Sequence, residues 1–389
     1  MKLDPDQFIG RAGIKRLLKA LDATNGAARF VGGAVRDLLL GETPGDLDLA
    51  TTLDPAEVVR RLEDAGIKAV PTGIEHGTIT AISSGTVVEV TTLRSDVSTD
   101  GRRATVSFTD DWREDAGRRD FTINALYADP LTGELFDYFG GLEDLRSRTV
   151  RFIGEPLQRI AEDHLRILRY FRFHARYGHG DPDPHAIEAC TERANDLMAL
   201  SRERIADELL KLLALADPTP TVRLMVDRRL FEPVLPEIGE VDRLGSLVAA
   251  EREASIQPDP LRRLASLLPR DPRIAERVAA RLKLSNKAKK RLISAADSSL
   301  GLGPRSLAYR IGVEGAIDRL LLAGLTTKVA EYDGWAPPRM TIGGGDIIAR
   351  GIPEGPEVAR TLRRIEDAWE AAGFPSGGEF ERLVEEALR

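Results

Sequence analysis

The chain has 389 residues, 42% of them hydrophobic, one cysteine (Cys190) and a formal net charge of −7. This length exceeds one ordinary hydrophobic core and predicts roughly two to four packing units. The lone cysteine excludes disulfides within the chain and cysteine-clustered zinc sites, which fits a reducing compartment. No stretch approaches the ~18 apolar residues of a membrane span and no signal peptide is evident, so the composition predicts a cytoplasmic protein.

Short β-rich runs alternate with helical segments over the first ~140 residues. The run ARFVGG precedes a helix predicted from about Ala34, DLDLAT precedes a helix over Pro55 to Asp64, and the strands HGTITAI and TVVEVTTLR follow. In TVVEVTTLR, Val88 and Val90 share one face and Glu89 lies on the other. These patterns predict a small mixed α/β unit. Farther along the chain the apolar residues recur at helical spacing, which predicts an all-α remainder.

Residues 32–52, GGAVRDLLLGETPGDLDLATT, combine two glycines, an arginine and an acid pair. Gly32 and Gly33 end one predicted strand and open a helix, where glycines let the backbone approach a triphosphate and Arg36 can neutralise it. Asp46 and Asp48 lie on the next predicted strand and point the same way. Carboxylates so placed suit Mg²⁺, which prefers hard oxygen ligands. An isolated acid pair is more often part of a surface loop, but the upstream glycines and arginine favour a nucleotide site.

GGAVRD followed by DLDLAT resembles the signature of the polymerase-β-like nucleotidyltransferase superfamily, in the class II branch of bacterial CCA-adding enzymes and poly(A) polymerases. The resemblance implies that Gly32, Gly33, Arg36 and Asp37 hold the nucleotide, and that Asp46 and Asp48 hold two Mg²⁺ ions. In that superfamily a third acid on a neighbouring strand often completes the site. Glu89 is the candidate here, and a solvent-facing strand residue is the alternative interpretation.

RRDFTINAL, residues 118–126, could be a plain helix cap, since Asp120 suits a helix N-terminus. The string also matches the ribose- and phosphate-contacting motif of the same family. By that resemblance Arg119 contacts the nucleotide, and Asp120 and Asn124 shape the sugar pocket.

Upstream, residues 94–117 are polar and rich in turn formers, which predicts a mobile loop. Complete CCA-adding relatives carry such a segment, so its presence favours the complete activity.

EDHLRILRYFRF, residues 162–173, lies in a helix predicted from about Pro156. Asp163 and Arg166 share a face of that helix, and Arg169 and Arg172 continue it. The family resemblance implies that these two arginines hold phosphates and sugar. An amphipathic helix with internal salt bridges is one interpretation, but beside the other motifs the segment resembles the family's base-selecting helix. Cytosine and adenine both present an amine donor beside a ring-nitrogen acceptor. Asp163 can therefore accept while Arg166 donates, without a nucleic-acid template.

Residues 273–291 carry eight basic residues and one acid, although the chain as a whole is acidic. Net negative charge argues against a nucleic-acid partner, and a solvated helix face is one interpretation of such a run. In the context of the resemblance, the run predicts tRNA backbone contacts by Arg281, Lys287, Lys290 and Arg291.

These motifs predict an α+β fold: a mixed α/β nucleotidyltransferase head at 1–140, a helical neck with the nucleotide-selecting helix at 141–200, a helical body at 201–310 and a helical tail that binds tRNA at 311–389. The expected activity is template-independent addition of CCA to the 3′ end of tRNA from CTP and ATP, with Mg²⁺ as cofactor and neither a membrane nor an obligate protein partner. A poly(A) polymerase, or an enzyme that adds only CC or only A, is the nearest alternative because it shares the catalytic motifs. A non-catalytic RNA-binding protein is another, against which the intact pair Asp46 and Asp48 argues.

Overall fold

The computed structural model describes residues 2–100 and 103–389, with the side chains of residues 96–106 left out. The chain divides into two compact units, one of Met1–Ser201 with Asp227–Pro233 and the other of Arg202–Val226 with Val234–Arg389. All strands of the described chain lie in the first unit, so the predicted fold class, a mixed α/β head followed by helices, is confirmed. The division into head, neck, body and tail stays a prediction.

A mixed sheet organises the first unit. The described strands are β1 (Ala28–Val31), β2 (Leu47–Thr51), β3 (Lys68–Gly73), β4 (Thr78–Ser83), β5 (Thr86–Thr92), β6 (Arg94–Asp100), β7 (Arg103–Phe108), β8 (Leu126–Ala128) and β9 (Leu135–Asp137). Seven of these form one sheet in the order β3-β4-β5-β2-β1-β8-β9, while β6 and β7 pair separately. Within the described sheet β2 and β5 run parallel, and the other neighbours are antiparallel.

Helices accompany this sheet in the first unit and make up the second. Those of the first unit are α1 (Asp6–Ile9), α2 (Ile14–Ala20), α3 (Gly33–Leu39), α4 (Pro55–Asp64), α5 (Trp112–Gly117), α6 (Gly141–Arg146), α7 (Pro156–Glu162), α8 (Leu165–Tyr177) and α9 (Pro184–Glu192). Those of the second are α10 (Arg202–Leu213), α11 (Thr219–Asp227), α12 (Val241–Glu253), α13 (Pro260–Leu267), α14 (Pro272–Arg281), α15 (Asn286–Ala295), α16 (Pro304–Ile311), α17 (Val313–Leu322), α18 (Gly344–Ala349), α19 (Pro356–Ala371) and α20 (Gly378–Leu388). None of the described helices combines the length and hydrophobicity of a membrane span.

Strand alternation places Asp48 and Glu89 on the more accessible side of the sheet. Leu47 and Leu49 of β2 and Val88 and Val90 of β5 are at most 1% exposed and pack into the core. The residues between them are more accessible: Asp48 is partly exposed and Glu89 is exposed. The predicted division of faces in β5 is therefore confirmed.

The prediction of a loop over residues 94–117 is wrong. β6 and β7 form an antiparallel hairpin in which Arg94 pairs with Phe108, and α5 follows with Asp111 as its cap. The side chain of Asp111 accepts from the backbone N–H of Arg113 at 2.7 Å. Polar composition suggested a loop, yet threonine and valine favour strands. Residues 101 and 102 of the predicted loop lie outside the described residues.

Two hydrophobic clusters stabilise the helical unit. One joins α12, α16 and α17 through residues such as Leu247, Leu307 and Leu320. The other joins α18, α19 and α20 around Ile365 and Trp369. In these six helices the apolar spacing of the sequence is thus explained by packing of each helix through one apolar face.

Candidate active site

A glycine turn links β1 to α3. Gly32 has φ 68° and ψ −125°, a conformation that L side chains rarely adopt, and its N–H donates to the carbonyl of Leu126 at 3.0 Å. A Cβ at this position would lie 3.3 Å from Nη1 of Arg119. Gly33 is the first residue of α3. The turn therefore brings bare backbone and a guanidinium together, as a triphosphate site requires.

The predicted acids lie on neighbouring parallel strands. Asp48 of β2 is in register with Glu89 of β5. Asp46 was predicted on the strand but precedes it, because β2 begins at Leu47, and its side chain is exposed. No described group of three or more His, Cys, Asp or Glu side chains is arranged to hold a metal ion, so the three acids are neighbours without being a preformed cluster.

Charge accumulates at Asp48. Partial burial and the negative charges of Glu89 and Asp46 together raise its pKa to about 6, against the positive charge of Arg119, which lowers it. A carboxyl whose pKa is raised by burial and by neighbouring carboxylates is stabilised in its ionised form by a bound cation. Uncompensated negative charge with oxygen donors is thus the chemistry of a divalent-cation site.

A series of hydrogen bonds between buried and partly buried side chains supports the glycine turn. Arg36, 6% exposed, donates through Nε to Asp37 (2.9 Å) and through Nη1 to the side-chain oxygen of Asn124. Asn124 in turn donates to Oδ1 of Asp120 (2.9 Å), whose Oδ2 accepts from Nε and Nη2 of Arg169 (2.8 and 2.6 Å). The structure thus brings together five of the predicted residues. Arg36, however, is hydrogen-bonded to Asp37 and Asn124 and does not present an open guanidinium to a phosphate.

Aromatic rings complete the surroundings of these arginines. The guanidinium of Arg36 lies 4.1 Å from the ring centre of Tyr177, and that of Arg172 lies 4.6 Å from that of Phe173. Burial alone would raise the pKa of Asp120, but the charge of Arg169 and the hydrogen bond from Asn124 hold it below its ordinary value. The carboxylate therefore stays ionised in the native protein.

Arg119 is held by two partners. Its Nε donates to the hydroxyl of Tyr127 and its Nη2 to Oδ2 of Asp115, both at 3.3 Å. Its remaining terminal nitrogen, Nη1, faces the turn at Gly32. Sequence reasoning missed Asp115 and Tyr127. The four-residue spacing between Asp115 and Arg119 is the signal that could have revealed the first, whereas the sequence carries no signal for the second.

The continuous helix predicted from Pro156 is wrong. α7 ends at Glu162, Asp163 is extended (φ −150°, ψ 106°), and α8 begins at Leu165. The Oδ1 of Asp163 accepts from the backbone N–H of Leu165 at 3.1 Å, so this side chain helps to start the new helix. Asp163 and Arg166 therefore do not share one helical face.

Arg166 and Arg159 hold the segment that carries Arg119. Nη1 of Arg166 donates to Glu162 (2.5 Å) and to the carbonyl of Arg159 (2.7 Å). Arg159, which sequence reasoning also missed, donates through Nη2 to the carbonyls of Arg118 (2.5 Å) and Arg119 (2.7 Å). The predicted base-reading arginine thus has acceptors within the protein.

The predicted tRNA-contacting residues separate into two classes. Arg281 forms a two-pronged ion pair with Glu237 (2.7 and 2.8 Å), and Arg291, 14% exposed, bonds to Asp318 (2.7 and 2.9 Å). Both contacts are structural. Lys287 and Lys290 are exposed. These two lysines on α15 are the members of the predicted set that face solvent.

A cavity of about 440 Å³ in the first unit lies away from the predicted residues. Its lining includes Phe139, Arg151, Phe152 and His185. No residue of the predicted nucleotide site lines this cavity. The acids and arginines are the stronger indication, because they match the chemistry of nucleotide transfer.

Comparison with known proteins identifies the family. CCA tRNA nucleotidyltransferase 1, mitochondrial, from Homo sapiens is 37% identical over 398 residues, covering 96% of this chain and 90% of the relative. The chain belongs to the CCA tRNA nucleotidyltransferase family. Within this family, the CCA-adding enzyme of Lacticaseibacillus paracasei is 40% identical over 233 residues, covering 59% of this chain and 57% of its own length.

Structural likeness extends over nearly all of this CCA tRNA nucleotidyltransferase family member. The crystal structure of the Bacillus stearothermophilus CCA-adding enzyme in complex with CTP has a TM-score of 0.78 and 27% identity, covering 97% of this chain and 98% of that one. A poly A polymerase head domain model matches residues 28–151, and a model for a probable RNA- and SrmB-binding site of polymerase A matches residues 181–241. CCA tRNA nucleotidyltransferases generally use divalent metal ions. Because the human relative is named as mitochondrial, the predicted cytoplasmic location stays a prediction.

Proposed function

We propose that this chain adds CCA to the 3′ end of tRNA from CTP and ATP, choosing each base with protein side chains. The observation that carries the proposal is the 37% identity to a CCA tRNA nucleotidyltransferase over 96% of the chain. The site supports it chemically, since a glycine turn, a guanidinium and uncompensated acids are the parts that nucleotidyl transfer needs.

Asp46, Asp48 and Glu89 are the acids that would hold Mg²⁺, and the raised pKa of Asp48 supports this because a bound cation would relieve the repulsion that contributes to it. When bound, Mg²⁺ supplies positive charge that favours ionisation of the attacking 3′-hydroxyl and neutralises the pyrophosphate that leaves. The open face of the sheet gives substrates access to these side chains, because Asp46 and Glu89 are exposed.

Arg119 is the residue best placed to bind the triphosphate. Its Nη1 faces the turn at Gly32, where backbone can come close to phosphate oxygens. We assign Arg36, Asn124, Asp120 and Arg169 to supporting this turn and the sugar pocket, because they bond to one another in a buried chain. Arg172 stays a predicted phosphate contact.

We assign base selection to the junction between α7 and α8. Asp163 lies at the break and Arg166 follows in the first turn of α8. Nη1 of Arg166 already donates to Glu162 and to the carbonyl of Arg159, so a base at this junction would either meet other N–H groups of the guanidinium or replace those bonds. A carboxylate acceptor and a guanidinium donor together match cytosine and adenine and oppose uracil and guanine, whose edges carry the reverse pattern.

Purified protein incubated with three tRNA transcripts, ending at the discriminator base, at C and at CC, tests the function. Each NTP is offered singly and then in mixture, and product length and composition are read. Extension to CCA with CTP and ATP, and termination there, is the expected result. A long A tract would identify a poly(A) polymerase, and arrest after CC or extension only of the CC transcript would identify a partial enzyme.

A further inference from the structure

A buried carboxylate, Asp115, joins the hairpin to the segment that carries Arg119. Asp115 is 1% exposed. Its Oδ1 accepts from Nε of Arg118 (2.8 Å) and from the backbone N–H of Arg94 (3.3 Å), the first residue of β6. Its Oδ2 accepts from the hydroxyl of Tyr127 (2.7 Å) as well as from Arg119. One side chain therefore connects β6, α5, β8 and the arginine.

These contacts fix the direction in which the Arg119 guanidinium points. Tyr127 occupies Nε and Asp115 occupies Nη2, so the remaining terminal nitrogen is directed over Gly32. A long arginine side chain would otherwise lose rotamer freedom each time it bound a nucleotide. Burial alone would raise the pKa of Asp115, but Arg119 and Arg118 hold it below its ordinary value, so the carboxylate keeps the charge that orients them.

We propose that Asp115 is a positioning residue for nucleotide binding: it holds Arg119 over the glycine turn and links that arginine to the first residue of β6. It acts through Arg119 and not on the nucleotide itself. The proposal rests on the proposed role of Arg119 in nucleotide binding. It goes beyond the predicted site residues because Asp115 lies in residues 94–117, where no nucleotide contact is predicted.

Asp115→Asn tests the proposal, because it preserves volume and removes the charge that holds the arginine. We expect the KM for both CTP and ATP to rise on the order of tenfold, while the Kd for tRNA stays within about twofold and kcat falls less than KM rises. Asp144→Asn is the matched control. Asp144 is also a buried carboxylate, 7% exposed, that accepts from a hydroxyl, of Thr122, and from a guanidinium, of Arg151.

Both variants should lower the melting temperature, but Asp115→Asn alone should raise the KM for nucleotides. Equal increases in KM would show that general loosening of the unit is responsible and would overturn the proposal. If Asp115→Asn does not fold, Tyr127→Phe serves instead, since it removes the hydroxyl that bonds to both Asp115 and Arg119. A smaller rise in nucleotide KM is expected from it, and an unchanged KM would count against the proposal.

A double-mutant cycle with Arg119→Ala separates this proposal from the function on which it rests. If Asp115 acts through Arg119, Asp115→Asn should change KM less than about twofold once the guanidinium is gone. If the effects of the two substitutions on KM were fully additive in free energy, the positioning role would be overturned. An unchanged KM in Arg119→Ala alone would instead remove the proposed role of Arg119, and the absence of CCA addition by the unmodified chain would remove the proposed function.

Discussion

Two features favour glycine at position 32: its backbone has a positive φ, and Arg119 approaches it closely. Gly377, at the start of α20, adopts nearly the same conformation (φ 62°, ψ −137°), and no atom lies within 4 Å of the point that a Cβ would occupy there. Gly32→Ala and Gly377→Ala should each cost about 1–3 kcal/mol of stability through the backbone. Only Gly32→Ala should also raise the KM for CTP and ATP, which steady-state kinetics beside thermal unfolding would measure. Equal kinetics in the two variants would contradict the placement of Arg119 at the turn.

Asp48 should make the metal-free protein less stable as pH rises. Its folded pKa of about 6 lies above the ordinary 3.8, so the folded state binds the proton more tightly and loses stability between these two pH values. Asp48→Asn removes this cost and should raise stability at pH 7.5 by on the order of 1–3 kcal/mol, allowing for solvent screening, with little change below pH ~4. Thermal unfolding without Mg²⁺ at both pH values measures the difference.

Glu57 on α4 provides a control of opposite sign for this titration. Hydrogen bonds from Arg60 and Arg61 lower its pKa to about 2, so its ionised form is favoured by folding. Glu57→Gln should therefore destabilise the protein at neutral pH, and the loss should shrink as pH falls toward 2. A gain from Asp48→Asn that does not vary with pH would argue against charge repulsion at the acids.

The break between α7 and α8 changes how the selectivity of Asp163 is best tested. Asp163→Ala removes the acceptor for the N–H of Leu165 and should cost about 1 kcal/mol as a lost helix cap. Asp163→Asn keeps an acceptor for that N–H but adds an amide donor that can meet the carbonyl of uracil. We expect the ratio of kcat/KM for CTP over UTP to fall at least about tenfold in Asp163→Asn at nearly unchanged stability. A ratio equal to that of the unmodified chain would refute base reading by Asp163.

Local elements were predictable where one residue or one pattern decides them. α4 was predicted to its ends because Asp54 caps the helix and Pro55 occupies its first turn. The faces of β5 followed from strict alternation. The break at Asp163 was not predictable, since the apolar spacing continues through it and the deviation depends on contacts such as that of Arg159 with the carbonyls of residues 118 and 119.

At the scale of the whole molecule, tertiary ion pairs decide which basic residues are available to RNA. Arg291 looked like Lys290 in the sequence, but Asp318, its partner, is 27 residues away and 1% exposed. Burial raises the pKa of Asp318, and the ion pair with Arg291 opposes that rise. The number of basic residues in 273–291 therefore overestimates how many of them phosphates can reach.

Replacing Lys287 and Lys290 together with alanine should weaken tRNA binding and reduce the slope of log Kd against log salt by about 1.4–1.8, as expected for two phosphate contacts. The melting temperature should stay the same because both side chains are exposed. Arg291→Ala should instead destabilise the helical unit by about 1–3 kcal/mol, since it removes the closer guanidinium partner of buried Asp318 and leaves only Arg262, at 3.2 Å, beside it. Fluorescence anisotropy across a salt series, with thermal unfolding, separates the effects. An unchanged slope in the lysine variant would remove α15 from the RNA-binding surface.

The parallel register of β2 and β5 limits where this chain can tolerate insertions. Asp48 and Glu89 face each other across strands whose inner positions are filled by leucine and valine. One extra residue within either strand would turn the acid inward and a core side chain outward. Extra residues in the connection between α4 and β3 would leave the pairing intact. Length variation among homologues should therefore concentrate in that connection and avoid both strands.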